Sequence, residues 1–479
     1  MNTQEKYDVL VLGSGVAGKL MAWTLAKEGW KTAVVERQYI GGSCPNIACL
    51  PSKNVIHSAK VASLARRHRE FGIETGPISI DMAGVYARKR GMVEGIVQIH
   101  RDKYNAPNDE LILGEGTFVA PRTIQVSLAD GGRRTLTGDR VFVNVGTHAT
   151  VPPIPGLRDS WPMTHIEALD LQRLPEHVIV LGGGYVGLEL GQALRRLGSR
   201  VTLVARGAQL APAEDADVAA AILQLFRDEG IEVLLNTQAA SVHGRSGDQV
   251  RLQLETIHGR QSIEGSDLLV ALGRTPNTAG LDAAKAGIEL TGQGHVRVND
   301  RLETTAQNVW ALGECAGSPY YTHVSEDDFG IVLANLRGGR RTTKDRLIPY
   351  CVFIDPELAR VGLNETQARQ KGIPYRAVSV PVDSSWRPWT LSERRGFLKT
   401  LIDEHSDRIL GFTAFGPEAG ELMGTVQLAM LAGAPYTLLR DAIFAHPTMT
   451  EGLKGLFAAV PQPSGQHEER NQHAQASTD

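Results

Sequence analysis

YDVLVLGSGVAG, residues 7–18, joins a short apolar run to glycines at positions 13, 15 and 18. Leu20, Met21, Thr24 and Leu25 follow at helical spacing, so the segment reads as strand, tight turn and helix. KTAVVE, residues 31–36, reads as a second buried strand ending on Glu36, which completes a βαβ unit. Gly13, Gly15 and Gly18 permit the turn, the approach of backbone to a pyrophosphate and close helix–sheet packing, while the helix N-terminus adds partial positive charge. In a chain with 51 glycines the bare spacing is weak, and a purely structural βα turn stays open as the alternative.

The pattern returns at HVIVL, residues 177–181, which runs into Gly182, Gly184 and Gly187, a helix through Leu197 and a strand VTLVAR ending at Arg206. Each unit needs its own parallel sheet, so two dinucleotide-binding domains are expected. Glu36 suits ribose hydroxyls and so a dinucleotide such as FAD; Arg206 can instead bind a 2′-phosphate, which leans the second site to NADPH, with NADH also open. A solvated surface charge is the plain alternative for Arg206.

The 479 residues are enough for two to four domains. Lys and Arg number 50 against 53 Asp and Glu, a formal charge of −3 with no basic stripe, which argues against nucleic acid. No apolar run approaches the ~20 residues of a membrane helix, and no secretory signal opens the chain, so no membrane partner and a cytoplasmic location are expected. Breakers at Pro152, Pro153, Pro155 and Gly156 place a domain boundary near 152. LLVALGRTPN (268–277) reads as the last strand of the second domain and TTAQNVWALGE (304–314) as a strand returning to the first. The expected architecture is α/β: a first dinucleotide domain split over 1–152 and 274–346, a second over 153–273, a mixed α+β domain over 347–460 and a disordered polar tail over 461–479.

GGSCPNIACLPSK, residues 41–53, carries two close cysteines. Cys44 and Cys49 cannot be bridged across regular helix, but Pro45 and Pro51 argue for an irregular helix entry where the chain folds back far enough to close a labile bond. Lys53, four residues after Cys49, can share its side of the next turn and lower a thiolate pKa. Packed cysteines or a soft metal are alternatives, although two thiols without nearby Cys or His make a poor zinc site, and no resident metal is expected. FAHPTMTE, residues 444–451, sets His446 beside a proline with Glu451 five residues on, an acid–base group and a carboxylate that can fix its tautomer. Taken alone, a lone histidine is more often structural, and nothing in the spacing shows that His446 reaches Cys44. Trp386, Arg387 and Trp389 read as packing, with a substrate entrance or an interface as alternatives.

Together with VGTHATVPPIPG, GGGYVGLE, ALGRTPN, VWALGECAG and PYCVFIDPELARVG, these motifs resemble, in order along nearly the whole chain, the class I flavoprotein disulfide reductases, which include dihydrolipoamide dehydrogenase, glutathione reductase and mercuric reductase. The resemblance implies FAD in the first domain, NAD(P)H in the second, and a homodimer built through the C-terminal domain, with His446, oriented by Glu451, completing the partner's active site. It implies Cys44 as the interchange thiol, Cys49 as the thiolate facing the flavin and Lys53–Glu189 as the ion pair beside it. It further places Gly42, Ser43, Lys53, Gly116, Gly146, Thr147, Glu189 and Glu314 at FAD, and Gly273 at the nicotinamide dinucleotide. Electrons would pass from NADPH through FAD to a Cys44–Cys49 disulfide and on to a disulfide, metal-ion or quinone acceptor.

Departures bear on the acceptor. Ala48 replaces a common glycine, Glu314 a usual aspartate, and Pro212 and Ala213 stand where relatives often add a second arginine. The C-terminal cysteine pair of typical mercuric reductases is missing, and the stretch from Val309 looks closest to a mercuric-reductase-like branch. Two other readings compete: a diaphorase or oxidase with dispensable cysteines, and a non-catalytic redox-sensing flavoprotein.

Overall fold

The computed structural model describes residues 4–463. The strand Gln4–Leu12 is buried from Val9 to Leu12, the region flanked on both sides by parallel neighbours. Val9–Leu12 pairs with 32–35 of the strand Thr32–Glu36 on one side and with 140–143 of Arg133–Val143 on the other. Burial on both faces explains the unbroken apolar run. Val309–Ala311 returns to pair in parallel with 141–143, so the first sheet does recruit a late segment of the chain. Its outer strand, Asp109–Ala120, is parallel to Thr32–Glu36 up to Leu113, then turns antiparallel against Thr123–Leu128.

The second sheet is parallel in the order Asp267–Val270, His177–Leu181, Arg200–Val204, Glu232–Leu234. Leu188, Leu194, Ile222 and Phe226 of the helices Tyr185–Leu197 and Ala216–Asp228 cover one face. Val242, Val250, Leu252 and Leu254 of a three-stranded antiparallel meander cover the other. A third, antiparallel sheet of five strands (Tyr350–Val352, Glu357–Gly362, Ile409–Gly416, Phe397–Asp403, Tyr375–Pro381) backs onto the helices Ala419–Leu431 and Gly452–Ala458.

Two expected strands are shorter than the sequence pattern implies. ALGRTPN does not continue its sheet: Gly273 has φ +112°, and Arg274–Pro276 instead forms an antiparallel ribbon with Thr147–Ala149. TTAQNVWALGE holds only the three-residue strand Val309–Ala311 before a 3₁₀ turn, Gly313–Ala316. Of the tail expected over 461–479, residues 464–479 lie outside the described residues. Among the described residues, no helix is long and apolar enough to cross a membrane.

Candidate active site

The segment 41–53 is irregular as its prolines require. A four-residue helix, Ser43–Asn46, stops at Ile47 and Ala48, and a new helix, Cys49–Arg66, begins at the second cysteine. The Asn46 amide ties the loop down by donating to the carbonyls of Ile40 (2.9 Å) and Gly42 (2.8 Å). Ala48 has φ −129°, so this position makes no demand for glycine's left-handed conformations.

Both cysteines are free thiols, and they interact with each other. The hydrogen bond that Cys44 gives to the sulfur of Cys49 pushes the Cys49 pKa down to about 6, assisted by Thr322 and Lys53 against the cost of burial. The same bond, with burial, pushes the Cys44 thiol up. Thr322 Oγ1 lies 3.3 Å from Cys49 Sγ. Cys49 and Thr322 are each the first residue of their helices, so two positive helix ends converge on one sulfur. The pair is therefore asymmetric, with one sulfur poised as thiolate and the other holding the proton.

Lys53 reaches Glu189 on the helix Tyr185–Leu197, Nζ to Oε2 at 2.7 Å, and its ammonium lies 4.6 Å from the centre of the Phe353 ring. The other Glu189 oxygen accepts the Phe353 amide at 2.8 Å. One carboxylate thus joins the cysteine helix, the second nucleotide unit and the third sheet.

In the first fingerprint, glycine is dictated by the protein's own packing. A Cβ at Gly13 or Gly15 would lie 2.4 Å from Asn144 oxygens, one at Gly18 would lie 2.3 Å from the Gly13 carbonyl, and one at Gly42 would lie 2.6 Å from Gly15 Cα. Asn144, not flagged by the sequence pattern, accepts the Gly18 amide at 3.0 Å and donates to the Leu312 carbonyl at 2.7 Å. Glu36 accepts four bonds, from the amide and hydroxyl of Ser14 and the amides of Gln38 and Tyr39, all between 2.8 and 2.9 Å. A ribose hydroxyl bonding this carboxylate has to share or displace one of them. A Cβ at Gly116 would run into Leu12, Ile124 and Val35, so core packing accounts for that glycine.

Glu314 accepts the Thr147 hydroxyl in a short bond and pairs with Arg274 Nε at 3.2 Å. This brings two expected site residues together and adds Arg274, which the sequence reading missed. By contrast, open space lies beside Gly146, Gly184 and Gly273. The helices Val16–Lys27 and Tyr185–Leu197 both begin without a side-chain cap, which leaves amides free for anionic groups. These cradles and donors fit two dinucleotides. Arg206 is exposed and has no protein partner among the described residues.

His446 is exposed, with Nδ1 2.9 Å from Glu451 Oε2. This orients the ring as expected, but no hydrogen bond links His446 to either cysteine of its own chain among the described residues. No cluster of three or more His, Cys, Asp or Glu suited to a metal occurs there either.

Residues 7–328 match the pyridine nucleotide-disulphide oxidoreductase family, and residues 348–456 match the dimerisation domain of that family. The probable pyridine nucleotide-disulfide oxidoreductase RclA of Escherichia coli (strain K12) is 35% identical over 463 residues, covering 95% of this chain and 99% of that protein. The mercuric reductase of Acidithiobacillus ferrooxidans is 35% identical over 460 residues, covering 95% and 82%. The solved Cu(II) complex of the HOCl-induced flavoprotein disulfide reductase RclA from Escherichia coli superposes with a TM-score of 0.87 at 34% identity, covering 96% of this chain and 100% of that one. With both of its matched regions in family order and the paired thiols in place, the chain belongs to the pyridine nucleotide-disulphide oxidoreductases, a family of FAD-dependent enzymes that use NAD(P)H.

Proposed function

We propose that this protein is a homodimeric NADPH-dependent reductase that delivers electrons through Cys44 and Cys49 to a small disulfide or a thiophilic metal ion. The observation that carries this reading is the unequal thiol pair: Cys49 held toward thiolate, Cys44 holding the proton. The names of the relatives, mercuric reductase and a Cu(II) complex of a disulfide reductase, support a metal ion as one acceptor class.

In this reading residues 1–152 and 274–346 hold FAD, with Gly13, Gly15, Gly18, Gly42, Ser43, Gly146, Thr147 and Glu314 around it and Glu36 toward its ribose. Residues 153–273 hold the nicotinamide dinucleotide, with the backbone of Gly182, Gly184, Gly187 and Gly273 approaching it and Arg206 at a 2′-phosphate. Bound FAD supplies a two-electron carrier between the nicotinamide and the sulfurs. Lys53, paired with Glu189, keeps positive charge beside Cys49. With a disulfide acceptor, His446 of the partner subunit takes the proton of Cys44, the Cys44 thiolate attacks one sulfur, and the other leaves as thiol on receiving that proton from His446 of the partner subunit. Cys49 then attacks the Cys44 sulfur of the mixed disulfide, the second acceptor thiol departs, and the Cys44–Cys49 bond carries the two lost electrons' worth of oxidation. Residues 347–460 provide the dimer contact, supported by the exposed apolar side chains of Leu428, Leu431 and Ile443, the last 97% exposed.

Anaerobic titration with NADPH tests the relay. We expect a long-wavelength thiolate-to-flavin absorbance that persists at neutral pH and disappears on acidification with a midpoint near 6, since the lowered Cys49 pKa leaves the thiolate present above that value and protonated below it. Reduction by dithionite but not by NADPH would instead indicate a sensor. For Arg206→Ala, loss of one charge-assisted contact to a 2′-phosphate is expected to raise KM for NADPH about tenfold and leave that for NADH unchanged, read by steady-state kinetics with both nucleotides.

A further inference from the structure

Lys19 lies in the first turns of the helix Val16–Lys27 and is buried, with 7% of its surface exposed. Its ammonium donates to the Gly41 carbonyl at 3.3 Å and meets His100 Nε2 at 3.2 Å. The ammonium also lies 5.8 Å from the centre of the Trp23 ring, but a buried ammonium needs a counter-charge or a further acceptor. No carboxylate forms an ion pair with Lys19 among the described residues. The Gly41 carbonyl belongs to the turn that delivers Cys44, three residues on, and the Asn46 amide folds that turn tightly. The Lys19 ammonium and the Cys44 sulfur are within electrostatic reach of each other. Lys19 is bonded to the turn that carries Cys44, and Lys53 lies on the helix that begins at Cys49.

We propose that Lys19 is a positioning residue for the acceptor half of the reaction: its buried ammonium stabilises the Cys44 thiolate that attacks the acceptor. The inference rests on the assignment of Cys44 as interchange thiol. While Cys49 holds the shared proton, the Lys19 charge is a counter-ion the chain itself offers to the Cys44 thiolate. His100 holds the amine in place: a Cβ on Gly41 would collide with the His100 ring at 2.3 Å, so glycine at 41 is what lets the imidazole pack against this turn. Burial and the Lys103 charge on the same helix as His100 bring the Lys19 pKa down to about 8, while Cys44 and Glu326 of the helix Thr322–Leu336 oppose that fall. His100 itself is held neutral, its pKa lowered to about 4 by burial and by Lys19 and Lys103. Cys44 is faced by Cys49, Thr322 and Lys19. Lys19 therefore carries its proton at neutral pH and surrenders it within reach of the working range.

The test is alkylation of Cys44 by iodoacetamide in the NADPH-reduced holoenzyme, located by peptide mass and followed against pH. Lys19→Met is expected to slow Cys44 alkylation at neutral pH about tenfold, the equivalent of one pKa unit, with the Cys49 thiolate absorbance retained; Lys19→Arg restores the rate. An unchanged Cys44 rate in Lys19→Met overturns the proposal. Lys103→Gln, at an exposed position, gives an independent sign. If Lys19 acts on Cys44, removing Lys103 lets Lys19 keep its proton longer and speeds alkylation just above pH 8. If Lys19 does not act, loss of a nearby positive charge leaves the rate unchanged or slower, and the proposal falls. Because the readout is Cys44 chemistry and not acceptor turnover, this failure is distinct from failure of the assignment of Cys44, which shows as turnover that survives removal of that thiol.

Discussion

Cys44→Ser is expected to reduce acceptor turnover by at least about 10³-fold, because removal of a nucleophile abolishes the covalent route and leaves only what the rest of the site contributes. The serine hydroxyl still donates a hydrogen bond to Cys49, and Thr322 at 3.3 Å and the Lys53 charge remain. The variant therefore shows thiolate-to-flavin absorbance before any reductant is added, since Cys49 no longer has a sulfur partner to bond. Steady-state assays against oxidised glutathione, lipoamide, Hg(II), Cu(II) and quinones give the first result, and the spectrum of the untreated protein gives the second. Full turnover in this variant would mean that electrons leave without the sulfurs, which is the diaphorase reading.

His446→Ala is expected to slow the acceptor half-reaction by roughly 10²–10⁴-fold, the range for a positioned acid–base group, while reduction by NADPH in a stopped-flow trace keeps its wild-type rate. The geometry behind this is the 2.9 Å contact of Nδ1 with Glu451, which leaves Nε2 as the working nitrogen, and the exposed placement of the ring on its own chain. If the ring serves the neighbouring subunit, mixed dimers of His446→Ala and Cys44→Ser chains hold one intact site each. Random reassociation of equal amounts then recovers about a quarter of wild-type activity from two nearly dead parents, given an isologous two-fold pair. Recovery of none places the histidine in its own chain's chemistry or outside the reaction.

Much of this site is legible in the linear sequence because its parts are local. The Gly13–Gly18 and Gly182–Gly187 turns, the irregular 41–53 segment and the His446–Glu451 pair each lie within a few residues, where spacing and backbone sterics suffice. The Lys53–Glu189 pair was accessible only by resemblance, since the two are brought together by packing of the helices Cys49–Arg66 and Tyr185–Leu197. Asn144, Thr322, Arg274 and Lys19 escaped notice for the same physical reason. Each acts through a partner more than 20 positions away, and none stands in a pattern of period 2 or 3.6 that would mark it. The helix Met82–Lys103 went unmarked too, as only Met82, Lys89 and Val93 of it are buried. Of the three reasons the pattern offered for Gly13, Gly15 and Gly18, turn, pyrophosphate approach and close packing, the contacts with Asn144 and the Gly13 carbonyl bear on the turn and the packing, and Gly116 meets Leu12, Ile124 and Val35.

The carboxylate of Glu189 also limits how the molecule can breathe. It is fastened at one oxygen to Lys53 and at the other to the Phe353 amide, and nearby the Gln192 side chain exchanges bonds of 2.8 and 2.9 Å with the backbone of Asp355, whose carboxylate pairs with Lys60 at 3.0 Å. Together with the Thr147–Ala149 and Arg274–Pro276 ribbon, these ties resist a swing of residues 153–273 against the rest of the chain. If nucleotide loads at the proposed site through side-chain displacements and not through a swing of that unit, solvent viscosity should have little hold on the catalytic cycle.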